Sequence, residues 1–124
     1  MIHTAVLLLG SNVRQREAML IQALRGIDTL GTRRSVSDVC LSDDISGLGS
    51  EYANITAVYT TEMPLNDFCT ALSALECEAG RTPSNKYTGV MPLDIDVVVW
   101  DGRLVSPDDY ARPYFCRQLS EWEG

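Results

Sequence analysis

From Thr4 to Leu9 the residues are apolar or β-tolerant, and the run stops at three turn formers, Gly10-Ser11-Asn12. A buried first strand that feeds a loop is expected. Leu20, Ala23, Leu24 and Ile27 then recur at i, i+3, i+4 and i+7, which places them on one face of a helix, with Gly31 as its C-terminal stop. Arg33 to Leu41 mixes polar and apolar residues as an exposed strand would, and Ser42 to Ser50 reads as loop. Tyr52 to Thr61 alternates and carries several β-branched residues, so it is predicted to be a strand.

The clearest element follows. Leu65, Phe68, Leu72, Leu75 and Ala79 form one stripe, with Pro64 near its start and Gly80 just past its end, the asymmetry expected of a helix. Thr82 to Val90 has Pro83, Ser84, Asn85 and Gly89 and no apolar period, and is predicted to be loop. Leu93 to Trp100 is predicted to be a strand, with Leu93, Ile95, Val97 and Val99 on one face and Asp94, Asp96, Val98 and Trp100 on the other. The tail after Gly102 is polar and aromatic, with room for one short helical turn. The order β-α-β-β-α-β is that of an α+β ferredoxin-like sandwich, in which two helices cover one face of an antiparallel sheet.

At 124 residues the chain fits a single domain spanning 1–124. Cys40, Cys69, Cys77 and Cys116 have no zinc-type spacing, and Met1 to Leu9 is too short and lacks the cationic start of a secretory leader. Reduced thiols in a cytoplasm are expected. No apolar run approaches the roughly 20 residues needed to cross a bilayer, so no membrane role is expected. The net charge of −7 is unevenly spread: residues 1–34 carry five Arg against two acids, residues 35–80 carry eight acids and no Lys or Arg, and residues 81–117 carry five of each sign. An anionic small ligand would therefore bind near the first or last segment, and the balance argues against nucleic acid.

The chemistry concentrates in Leu93-Asp94-Ile95-Asp96. Two aspartates at i and i+2 on a strand project from one face, roughly 7 Å apart. Carboxylates held side by side repel unless a cation neutralises them, and magnesium suits oxygen ligands while keeping positions open for phosphate. With that pair set aside as metal ligands, the last segment is locally basic.

Four motifs in order resemble the hydroxymethyl-dihydropterin pyrophosphokinase family. They are Leu9-Gly10-Ser11-Asn12 at the end of the first strand, Tyr52-Ala53-Asn54 on the third, Leu72 to Glu76 followed by Gly80-Arg81 in the second helix, and Leu93 to Asp96. The resemblance runs to about Tyr114. It implies transfer of pyrophosphate from ATP to the hydroxymethyl group of a dihydropterin in folate synthesis, with Asp94 and Asp96 holding two magnesium ions and Arg81 acting beside them in catalysis. By the same resemblance, Ser42 to Ile45 and Asn54 would read the pterin, Tyr52 and Tyr114 would stack on it, and Glu76, Arg81, Lys86 and Arg112 would meet ATP. The chain departs from the family at Met91, which stands where the family carries an arginine, and in lacking the family's Pro-His segment after the last strand. A pterin- or nucleotide-binding domain without catalysis is the alternative that these departures raise.

Overall fold

The computed structural model describes residues 1–44, 47 and 49–121, and their side chains except those of Lys86, Ser120 and Glu121. Its central strand is β1, His3–Ser11, paired antiparallel with β4, Tyr52–Thr61, on one side and β5, Asp94–Trp100, on the other. Outside β4 lie two short strands, β2, Thr32–Val36, and β3, Cys40–Ser42; outside β5 lies β6, Arg103–Leu104. All pairings are antiparallel. Helix α1, Arg16–Ile27, joins β1 to β2, and α2, Leu65–Glu78, joins β4 to β5. This is the expected α+β ferredoxin-like arrangement.

The helical stripes of the sequence account for the main core. Leu20, Ala23, Leu24 and Ile27 of α1 and Phe68 and Leu72 of α2 are buried against the odd-numbered β1 residues Ala5, Leu7 and Leu9 and against Ala53, Ile55, Ala57 and Tyr59 of β4. Leu65, Leu75 and Ala79 pack at the margin. Burying a side chain the size of Phe68 or Leu72 contributes about 1.5–3 kcal/mol each, which is why short helices with weak caps stay docked. Gly80 ends α2 with φ of 101°, a left-handed conformation that favours glycine.

The opposite sheet face carries a second cluster: Val6, Leu8, Val58, Val98, Val99 and Phe115, flanked by Tyr110, Tyr114 and Leu119. It is roofed by the C-terminal segment, which includes α4, Pro107–Tyr110, and a 3-10 helix, Arg117–Glu121. The Cys116 N–H donates to Thr56 Oγ1 at 2.9 Å and ties that roof to β4.

Three local expectations are corrected. Arg33 to Leu41 is not one strand. Ser37 Oγ accepts the Thr56 N–H just past the end of β2 and so separates β2 from β3, and a register shift between Arg33 and Ser35 lies within β2 itself. The segment 82–90 contains a helical turn, α3, Asn85–Thr88, nucleated where Asn85 Oδ1 accepts the Thr82 N–H and closed by Gly89 at φ 75°. The last strand does not alternate to its end: Leu7 pairs with Val97 but Val6 with Val99, so Val98 is an extra residue in a bulge. Val98 and Val99 therefore share the tail face, and Trp100 turns to the helix face beside Phe68, not to the aspartate face.

Candidate active site

The site is built on two rungs of the sheet. Gly10 on β1 pairs with Asn54 on β4 and with Asp94 on β5; the next rung is Thr56, Leu8 and Asp96. Residues on one rung share a face, so Asn54, Asp94 and Asp96 all project away from the helices, where the tail leaves the sheet uncovered. Gly10 keeps the floor open: a Cβ there would stand 3.1 Å from Asn54 Oδ1 and 3.4 Å from Tyr52 Cδ2. The Asn54 amide is oriented by its nitrogen, which donates to the Cys40 carbonyl at 3.0 Å and to Ser42 Oγ at 2.9 Å. Its oxygen is thereby presented as the remaining acceptor.

Loops raise the walls. Asn12, 5% exposed, donates through Nδ2 to the Gly89 carbonyl at 2.7 Å and through its backbone N–H to the Met91 carbonyl at 3.1 Å. In return its Oδ1 accepts the Met91 N–H at 2.7 Å. This fixes residues 89–91 beside the floor. Gly49, whose N–H donates to Asp44 Oδ2, approaches the Gly89 carbonyl so closely that any Cβ would collide with it, and the two loops thus meet. The tail supplies the last wall with Asp109, Arg112 and Tyr114. Asp109 Oδ2 accepts the Ser106 hydroxyl at 2.7 Å, whereas Arg112 Nε is buried and has no hydrogen-bond partner.

These elements enclose a cavity of about 430 Å³, within the usual range for small-molecule sites. Of the residues expected at a site, Ser42, Tyr52, Asn54, Asp94, Asp96, Arg112 and Tyr114 line it. Arg81 and Glu76 stand behind the floor. Arg81 Nη1 donates to Asp94 Oδ1 at 2.9 Å and to Glu76 Oε2 at 2.5 Å, and that same Glu76 oxygen accepts the Ile95 N–H at 2.8 Å. Ile45 and the Lys86 side chain lie outside the described residues. Asp44, within the expected Ser42 to Ile45 segment, and Gly10, within the first motif, also line the cavity, as do Asn85 and Asp109, to which the sequence assigns no role. Asp109 sits in a Ser-Pro-Asp-Asp turn that reads only as a helix start, and nothing in the local pattern ties it to the distant aspartates.

The electrostatics are one-sided. Burial pushes Asp96 up to about 8, reinforced by the charge and hydrogen bond of Asp94 and by the charges of Asp109 and Glu76. Burial also raises Glu76, against the Ile95 N–H and Arg81, which lower it. Such a donor set suits a hard divalent cation: carboxylate oxygens facing one space, with their charge uncompensated on the cavity side. Among the described residues no group of three or more metal-ligating side chains occurs, so a cation at Asp94 and Asp96 would take further ligands from water or phosphate, as magnesium commonly does. Among the described residues, no helix is long and apolar enough to cross a membrane.

A comparison with curated proteins finds no match. The family model described as 7,8-dihydro-6-hydroxymethylpterin-pyrophosphokinase (HPPK) matches residues 6–123. That span includes both rungs, both loop walls and the tail that closes the cavity, and with nearly the whole chain matched the protein belongs to the HPPK family.

Proposed function

We propose that this protein transfers the pyrophosphoryl group of ATP to the hydroxymethyl oxygen of a dihydropterin, the reaction its family supplies to folate synthesis. The observation that carries the reading is the common placement of Asn54, Asp94 and Asp96 on one open sheet face in one cavity. Fold alone would leave the reaction open.

The pterin would lie over Gly10, between the rings of Tyr52 and Tyr114, with Asn54 Oδ1 accepting one of its N–H groups and Ser42 at its edge. The hydroxymethyl arm would then point along the face from Asn54 toward Asp94 and Asp96. ATP would enter from the tail side, where Arg112 offers an unpartnered buried N–H to a phosphate oxygen. Two magnesium ions, held by Asp94 and Asp96, would neutralise the phosphate charge that this acidic cavity otherwise repels. The hydroxymethyl oxygen forms a bond to the β-phosphorus and the bond from that phosphorus to the α-bridging oxygen breaks. AMP leaves, and the hydroxyl proton passes to solvent. The protein's work in such a transfer is alignment and charge compensation: Asn54 and Tyr52 set the acceptor's position, and Arg112 and Arg81 meet the chain being transferred.

The test is product analysis. The protein, ATP, magnesium and 6-hydroxymethyl-dihydropterin should give AMP and the pterin diphosphate in equal amounts, with no ADP. Binding of both ligands without AMP would assign the chain to the non-catalytic alternative.

A further inference from the structure

Arg81 shares one nitrogen, Nη1, between two carboxylates that belong to different tasks. Asp94 faces the cavity with its side chain 36% exposed; Glu76 is withdrawn at 13% and is committed by its bond to the Ile95 N–H. Arg81 itself is 34% exposed at its side chain, on the path from the end of α2 to the cavity floor. A divalent cation on Asp94 would therefore have to share one carboxylate with the Arg81 guanidinium, which already holds Oδ1. They cannot both be close to it without facing each other's charge.

We infer that Arg81 is a placeholder cation: it compensates Asp94 until metal arrives, remains held by Glu76 when displaced, and is then free to meet the phosphates that enter with the metal. The inference rests on the proposed reading of Asp94 as a metal ligand. Glu76 has a distinct part in it. An arginine without a second partner would pair with Asp94 too strongly to leave, or be lost to solvent once displaced. One retained bond keeps it within reach of both positions. The consequence is coupling. Metal alone has to displace an ion pair, and nucleotide alone finds Arg81 committed to Asp94 and not available to its phosphates, whereas together each removes the other's penalty. Such coupling is reciprocal.

The experiment measures binding and needs no turnover. Magnesium is titrated alone into wild type and Arg81→Met, and a non-hydrolysable ATP analogue is titrated into each with EDTA and with saturating magnesium. In Arg81→Met, magnesium alone should bind about twofold to fivefold more tightly, the scale of a partly exposed ion pair, and the gain in nucleotide affinity on adding magnesium should shrink by a similar factor. A merely electrostatic influence of one lost positive charge would tighten magnesium but leave that gain unchanged, and this result would overturn the inference. If Arg81→Met unfolds because Glu76 is left buried and unpaired, the double variant Arg81→Met/Glu76→Gln removes that charge while keeping an acceptor for the Ile95 N–H. The same two outcomes decide it. Absence of any magnesium-dependent nucleotide binding in wild type is a separate result. It would remove the metal reading of Asp94 itself, and the placeholder with it.

Discussion

Asn54 and Asp94 stand on one rung of the sheet, on either side of Gly10. One is a neutral amide anchored through its nitrogen, the other a carboxylate anchored through Arg81. Gly10 adds no side chain between them, so a flat ligand can contact the amide while its substituent reaches the carboxylates. The amide and the carboxylate thus stand two strand spacings apart, roughly 10 Å, with β1 between them.

Asn54→Ala should weaken binding of 6-hydroxymethyl-dihydropterin by about 1–3 kcal/mol, the cost of leaving a buried partner unsatisfied. The Cys40 carbonyl and Ser42 Oγ also lose their shared donor, so a loss of stability of about 1 kcal/mol should accompany it. Calorimetry with the pterin, alongside denaturant unfolding, separates the two effects. Unchanged pterin affinity would displace Asn54 from the recognition site.

Asp94→Asn and Asp96→Asn should each abolish magnesium-dependent binding of an ATP analogue while leaving the fold intact, because the amide keeps the volume and removes the charge. Asp96 adds a pH signature. Its carboxyl is raised in the folded protein, by burial first, so the neutral form is the one folding favours. In metal-free protein its contribution is fully present below the unfolded value near 4 and is lost as pH rises through about 8. Unfolding measured in EDTA across this range should show stability falling with pH in wild type and a flatter profile in Asp96→Asn. Parallel profiles would show that Asp96 is not the group responsible.

Much of this was legible in the sequence, and the exceptions share a cause. The stripes of α1 and α2 and the aspartate pair can be read because each is a local pattern meeting a single environment. Val97-Val98-Val99 is uniformly apolar, so nothing in it marks the bulge that sends Trp100 to the helix face. Ser37 breaks the edge strand through its hydroxyl, accepting an N–H that a continuous ladder would have paired with a carbonyl. The link from Glu76 through Arg81 to Asp94 depends on how α2 docks against β5. Arg81 could equally have served as a simple helix-end cation. Asp109 joins the site only because Phe115 and Tyr110 pack the tail against the second sheet face.

Tyr59 gives a prediction for the frame, independent of the site. It is fully buried, and its hydroxyl lies 2.8 Å from Asp28 Oδ1 and 3.1 Å from the Leu24 carbonyl, joining β4 to the end of α1. Burial above all, and then the bond to Asp28, raise its pKa above the ordinary 10. Its contribution is therefore fully present below about pH 10 and is lost as pH climbs beyond that toward the folded value. Unfolding curves at pH 8 and pH 10.5 should show a drop in wild type that is smaller in Tyr59→Phe, which at pH 8 should itself be about 1 kcal/mol less stable. Equal drops would show that Tyr59 is not the group responsible.

Met91 lines the cavity, and its backbone is fixed on both sides by Asn12. A substitution there changes the side chain without releasing the wall. Met91→Arg would place a cation where the resemblance puts an arginine, and a well-placed cation on transferring phosphate is worth roughly 3–4 kcal/mol of barrier. Turnover should rise by tenfold or more with pterin affinity little changed. Slower turnover in Met91→Arg would mean that Arg81 or Arg112 already occupies that place.

The claim on which the rest depends is that Asp94 and Asp96 hold magnesium for ATP on the same face that receives the pterin. Calorimetric titration of the wild-type protein with a non-hydrolysable ATP analogue, with and without magnesium, tests it most directly. Binding in magnesium should fall at least tenfold in EDTA and be lost in both Asp94→Asn and Asp96→Asn. Equal affinity with and without magnesium, or binding that survives both substitutions, would contradict it.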